Sequence, residues 1–467
     1  MLNFKLKIGL VPNVRNLGDF KTRKGIFEPA KGAENKNKAV KFIRDNFTDE
    51  ITEFVDLEWL NELGVLYDNN DCDKVVDYLK NEKVDAIFIM NCNFGNEEAC
   101  GRVAKAMHLP TLLWGPQDMV FEPDGMRYTD AQCGLFAISK QLKRNNVPFS
   151  YIENSPVESE TFKEGFVKFL SVATMVKNFK NLAITQVGTR LNPFKSMLTN
   201  ELELTEKFGF NMQTVNMAVV TDKFNKLYAS KAAELCGDIE KLKEQYDVAD
   251  LTDDALKKML TFVYVYKEIF EETGADVLTT ECWTSMPLAV GANPCLAMSI
   301  LYDMGYIVAC ESDVCGAVTC AVLRSATRGK EAPLFGEFTV RHPQNKNAEL
   351  LWHCGPFPYS TKAEDSTAKL FNTKPSFRAK DGTYTLARFQ GERGIYKLLG
   401  GNYHTVDGPH TFGTYMWAEF GDMSKLEKKL IYGPYVHHMT EIYGEYADVL
   451  EEFCRYIPEL EFDPVEG

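Results

Sequence analysis

Five side chains in this 467-residue sequence combine types that do metal chemistry. Glu311 follows a strand-like run at 306–310, and Glu337 sits within Phe335-Gly336-Glu337-Phe338. His353 precedes Cys354-Gly355, and His437 and His438 are adjacent. Two carboxylates with one or two imidazoles suit a divalent cation of the manganese, iron or zinc kind, whereas calcium prefers all-oxygen ligands. Composition alone does not single them out, because the chain carries 66 acidic residues and each histidine could be a satisfied core group. Around them, Trp283 is of a type that stacks on a sugar face, although strand-end tryptophans are more often partial core. Arg190 suits a hydroxyl or an anion, or a structural salt bridge. Glu281 reads as a support for the site or a capping acid, and His404 and His410 as solvent-facing loop residues.

These groups need elements to place them. Residues 276–280 and 306–310 read as strands, and they deliver Glu281 and Glu311 at their carboxyl ends, where open α/β sheets form their ligand crevice. Asn293-Pro294 reads as a cap residue and first helical proline, opening a helix that stops at Gly305. Ser312-Asp313 starts the next helix.

Toward the amino end, strands at 5–11, 51–55, 85–90 and 109–114 alternate with helices at 36–47, 72–80 and 98–108, the pattern of parallel βαβ units. The turn Asn93-Phe94-Gly95-Asn96-Glu97 either faces a ligand or caps its helix. No Gly-x-Gly-x-x-Gly follows the first strand, so a nicotinamide or flavin site is not supported. A helix at 159–177 leads to a new strand at 181–187. Helices at 199–209, 230–246 and 253–273 follow. Beyond 330 the pattern changes to short strands separated by glycines, with one closing helix at 444–456. The expected fold is therefore two Rossmann-like α/β domains with parallel sheets, 1–177 and 178–330, followed by a β-rich, antiparallel barrel-like domain, 331–467.

The formal charge of −14 argues against nucleic acid, since phosphate binding draws on clustered Lys and Arg and these number 52 against 66 acidic residues. Four basic residues between Arg15 and Lys24 read as a solvated loop. No apolar run approaches the ~18 residues of a membrane span, and the start leads into a strand, so a cytoplasmic protein without membrane contact is expected. The twelve cysteines contain no Cys-x-x-Cys pair and read as reduced core residues.

Taken in order, Cys310-Glu311-Ser312-Asp313-Val314, Glu337, His353-Cys354-Gly355 and Pro434-Tyr435-Val436-His437-His438 resemble the L-fucose isomerase family and its fucose isomerase-like relatives, and more distantly L-arabinose isomerase. The Asn93–Glu97 turn, Trp114-Gly115-Pro116 and Asn293-Pro294-Cys295 extend the likeness along the chain. The resemblance implies homotrimers or homohexamers, a monosaccharide substrate, and Mn²⁺ or another divalent ion held by Glu311, Glu337 and His438. Glu311 and Glu337 would also be the acid/base pair, with His353, His437, Trp283 and Arg190 around the sugar. Two departures stand out: Ser312, where glycine is common in relatives, and Glu337, where nearer relatives often have aspartate.

The chemistry implied is aldose-ketose isomerisation. The carbon acid between C1 and C2 of an open sugar is too weak to ionise unaided, so a cation must hold the enediolate charge while a carboxylate moves the proton. An L-fucose- or D-arabinose-like sugar, or a modified hexose such as sulfoquinovose, is the expected substrate. A non-catalytic sugar-binding or regulatory protein on the same scaffold and a metal-dependent hydrolase are the alternatives.

Overall fold

Strands buried on both faces read as continuous apolar runs, because alternate residues must each find a core. Thus Ala86, Phe88 and Met90 enter one hydrophobic core, while Ile87 and Ile89 enter the other. This computed structural model describes residues 1–15, 25–118, 121 and 125–466; most of the basic stretch, 16–24, lies outside them. The chain divides into two compact units, Phe4–Lys177 and Met1–Asn3 with Asn178–Gly467.

In the first unit the parallel sheet runs Thr52–Val55, Leu6–Asn13, Ala86–Asn91, Thr111–Trp114, Ser150–Tyr151, the 2-1-3-4-5 order of a doubly wound fold. The turn after Ala86–Asn91 satisfies itself: Asn93 Oδ1 accepts from the backbone N–H groups of Arg15, Phe94 and Gly95, and Asn96 caps helix Glu97–Met107.

The second unit holds two sheets. One is parallel and runs Asn211–Val215, Ala183–Val187, Val277–Thr280, Ile307–Ala309. In the other, the antiparallel strands Thr414–Glu419, Ala348–His353, Leu334–Arg341, His438–Tyr443, Thr383–Glu392 and Ile395–Val406 pair in that order. The last pairs back on the first, which closes a barrel. Parallel strands Lys374–Arg378 and Leu460–Pro464 extend it. The α/β and barrel-like classes expected from the pattern are thus both present.

Helix Val314–Ala326 is buried along its whole length. A helix apolar all round must lie inside a core, and this one follows the last parallel strand and packs on barrel strands Thr383–Glu392 and His438–Tyr443. Its Thr319 hydroxyl accepts from the backbone N–H of Phe389 at 2.9 Å.

Several elements differ from expectation. A helix ends at Ser230 rather than starting there: Met217–Ser230 is capped by Asn216, and Ala232–Gln245 follows. Helix Met423–Tyr432 lies in the β-rich region, started by the Asp422 side chain. Helix Cys295–Asp303 begins after Pro294, and Asn293 makes no cap, its amide donating to Thr373 Oγ1 instead. Among the described residues no helix is long and apolar enough to cross a membrane, and all twelve cysteines are free.

Candidate functional site

Strand Ile307–Ala309 gives way to a sharp turn in which Glu311 and Ser312 have φ of 60° and 56°. Left-handed backbone costs a residue with a Cβ roughly 1–2 kcal/mol, so two in succession need bracing. Ser312 Oγ donates to the Thr189 carbonyl at 2.9 Å, and the Asp313 carboxylate accepts from the Gly316 N–H at 2.9 Å, capping the buried helix. The turn therefore aims Glu311 at the barrel while the next residues start the helix. It also explains why glycine would be at ease at position 312.

On the barrel, Glu337 and His438 face each other directly across neighbouring strands. His438 is fully buried, with Nδ1 2.9 Å from Asp313 Oδ2, while its Nε2 lies 3.1 Å from Glu311 Oε2 and 3.9 Å from Glu337 Oε2. Asp313 is also ion-paired to Arg388, itself buried and bonded to Gln390. Burial opposes ionisation of Asp313, yet the Arg388 guanidinium and His438 hold its carboxyl well below the usual range. An ionised Asp313 takes the Nδ1–H and leaves Nε2 toward the two glutamates, the usual way a carboxylate sets the tautomer of a metal-binding histidine.

Burial pushes the Glu337 carboxyl up, against the pull of His353 and His438. It pushes His437 down, helped by His438, to about 4, so this imidazole is neutral at pH 7 with Nε2 3.5 Å from Glu337. In His438 burial also lowers basicity, but the hydrogen bonds to Asp313 and Glu311 outweigh it and the pKa is raised. His353 is buried, its ring 5.7 Å from that of His438. Its Nδ1 accepts the Cys354 N–H at 2.9 Å, and its Nε2 has no hydrogen-bond partner among the described residues.

Ligand atoms of Glu311, His353 and His438 converge within 4.8 Å, as do those of Glu337, His437 and His438. Ligands at right angles on an ion with bonds of ~2.1 Å stand roughly 3 Å apart and opposed ones roughly 4 Å. The separations from His438 Nε2 to each carboxylate fall in that range, but Glu311 and Glu337 belong to different clusters that share only His438, so the expected trio is not brought together as one cluster. A buried group of acceptors with an orphaned imidazole nitrogen is a donor set that fits a divalent cation. Behind it lie sulfurs: Cys282 and Cys310 are 3.3 Å apart, Cys295 and Cys354 3.7 Å.

Trp283 stands 42% exposed, its ring 5.8 Å from Phe194, which in turn is 5.8 Å from His437 and 6.4 Å from His438. Together these rings wall one side of the site. Arg190 is spent on its own turn, donating to the carbonyls of Leu191 and Asn192. Glu281 accepts from Thr189, Thr284 and Ser285 and holds the turn beside it. Sequence reasoning passed over Asp313, Arg388 and Phe194. Two signals were present: a second acid two residues after Glu311 at a helix cap, and an arginine inside the apolar run Leu386-Ala387-Arg388-Phe389, which demands a buried partner.

Comparison with known proteins adds an independent line. Residues 19–180 match the family model described as fucose/sulfoquinovose isomerase, N-terminal domain, a span that ends before any of the clustered residues. The chain is 25% identical over 395 residues to the sulfoquinovose isomerase of Priestia aryabhattai, covering 82% of this chain and 86% of that one. It is 25% identical over 336 residues to that of Alkalicoccus urumqiensis (70% and 74% covered), and 23% over 390 residues to that of Clostridium sp. strain MSTE9 (78% and 83%).

Proposed function

Because the chain belongs to the L-fucose isomerase-like family of sugar isomerases, we propose that it interconverts an open-chain aldose and its ketose at Glu311, Glu337 and His438, with sulfoquinovose as the sugar. The observation that carries the site is His438 Nε2, fixed by Asp313 behind it and facing two carboxylates at 3.1 and 3.9 Å.

Glu311, Glu337 and His438 would hold a divalent ion, with His353 alongside. When bound, such an ion supplies Lewis acidity that polarises the sugar carbonyl and steadies the enediolate charge, an effect worth several kcal/mol. Glu337 moves the proton: burial has raised its pKa, bringing it closer to the working pH of a general base. It takes the proton from C2 of the aldose and returns it to C1, while the hydroxyl proton on O2 passes to O1, so that aldose and ketose balance as isomers. Neutral His437 beside it accepts or donates a hydrogen bond to a sugar hydroxyl without adding charge, and Trp283 with Phe194 excludes water from one side. Family membership supports manganese as the ion and a homotrimer or homohexamer as the assembly.

The test is direct. Protein stripped by a chelator should not convert sulfoquinovose to its ketose, and added Mn²⁺ should restore conversion, followed by the C2-proton NMR signal. Full activity after exhaustive stripping would remove the metal from the reading, and no turnover of any aldose with metal present would remove the isomerase.

A further inference from the structure

Next to the clustered residues lies a recess of about 360 Å³, part of it open to solvent, lined in part by Trp352, Cys354, Phe371, Lys374, Pro375 and Phe412. Two links join it to the site. Cys354 follows His353, and Trp352 stands directly opposite Glu337 in the strand register, so both side chains lie on one face. Three aromatic rings and a proline make the lining apolar, and Lys374 is its one cation. Among the described residues no carboxylate lies within ion-pair range of this half-buried ammonium; burial opposes its charge, and the groups that favour it are cysteines, Cys354 foremost, then Cys295, Cys282 and Cys310.

Withdrawing an ammonium from water is unfavourable, and here cysteine sulfur rather than a carboxylate offsets the cost. The turn that presents it is strained too. Phe371 and Lys374 pair across a two-residue hairpin turn in which Asn372 and Thr373 have φ of 47° and 66°. Such turns need positive φ at both positions, which asparagine tolerates but a β-branched threonine does not. Asn293 braces the turn through Thr373 Oγ1 at 3.2 Å. Local strain beside an ammonium that has no carboxylate partner among the described residues, at the wall of a recess, is an arrangement that a bound anion would complete.

We propose that Lys374 selects an anionic sugar, its ammonium receiving a sulfonate at the end of the open chain opposite C1 and C2 while Trp352, Phe371 and Phe412 pack the carbons between. This rests on the isomerase reading above and deepens it. A sulfonate stays ionised throughout the working pH range, so an apolar recess without a cation would reject it, as would the nearby glutamates. With C1 and C2 at Glu337, an extended six-carbon chain reaches past one strand spacing, about 4.8 Å, into the space beyond Trp352.

Binding of sulfoquinovose and of quinovose, which has hydrogen in place of the sulfonate, should be measured calorimetrically on the Mn²⁺-loaded wild type, Lys374→Gln and Lys374→Arg. A hydrogen-bonded charge pair predicts that the wild type prefers the sulfonated sugar by about 10- to 100-fold. Lys374→Gln should erase that preference with quinovose affinity unchanged, and Lys374→Arg should keep part of it. Equal binding of both sugars by the wild type, an equal loss for both in Lys374→Gln, or a preference that survives Lys374→Gln would each overturn the assignment. A preference that tracks Lys374 with neither sugar converted would sustain it and sink the isomerase reading alone.

Discussion

The ion pair between Asp313 and Arg388 is the sharpest place to perturb this molecule, since both side chains are at most 2% exposed and Asp313 also holds His438. Removing one member of a buried pair strands the other charge and costs about 3–5 kcal/mol, whereas replacing both with apolar groups is often neutral. Arg388→Met and Asp313→Leu should each lose about that much stability in urea unfolding at pH 7, and the double variant should recover most of it. Manganese affinity should behave differently. Loss of the carboxylate that orients a metal-binding histidine weakens binding about 10- to 100-fold, so the stable double variant should bind Mn²⁺ as poorly as Asp313→Leu. The depressed carboxyl pKa sets the pH window: its contribution is complete above the unfolded value of about 3.9 and fades as pH falls through the lower folded value. The gap between wild type and Asp313→Leu should therefore close only in strong acid. Single losses that simply add in the double variant would refute the electrostatic account, and full Mn²⁺ affinity in the double would refute the orienting role.

Glu337→Gln should abolish turnover with unfolding and assembly unchanged, and isomerisation at the wild-type rate would remove its assigned role. Glu441 is fully buried with both oxygens unpartnered among the described residues, and burial pushes its carboxyl up to about 8. Its folded state keeps a proton that the unfolded chain sheds above about pH 4.3, so stability falls as pH rises toward 8. Glu441→Gln should thus gain on the wild type in melts from pH 5 to 9, and a constant gap would contradict this. At Gly413, φ is 84° and a Cβ would lie 2.5 Å from Trp352 Nε1 and 2.7 Å from the His353 carbonyl. Gly413→Ala should cost about 2 kcal/mol or more and alter Trp352 fluorescence, while an unchanged melt would show that the segment yields. Ser312→Ala keeps the left-handed backbone but loses the bond to Thr189, a cost of about 1 kcal/mol. Ser312→Gly should be near neutral, and the reverse order in urea midpoints would count against the strained turn.

The architecture was legible where local pattern and burial agree. Apolar runs alternating with helical periods required parallel sheets, and short glycine-punctuated strands after 330 required an antiparallel one. Helix Met217–Ser230 escaped because its apolar stripe is narrow and it abuts the next helix, leaving its boundary without a punctuating residue. Asn293-Pro294 misled because a cap signal describes only the chain's own neighbours, and here the amide was drawn across space to Thr373.

By itself the sequence determined the kinds of chemistry on offer: acids at strand ends, paired histidines, an excess of negative charge. Only the tertiary structure decided which of these meet. Residues 311 and 438 are 127 positions apart, yet a left-handed turn and one barrel register bring Glu311 Oε2 and His438 Nε2 to 3.1 Å. Asp313 and Arg388, which nothing in the linear chain assigns to each other, become a fixed buried pair behind them. The reason is physical: a buried charge must find its partner, and closing the barrel against the helix brings that partner within reach.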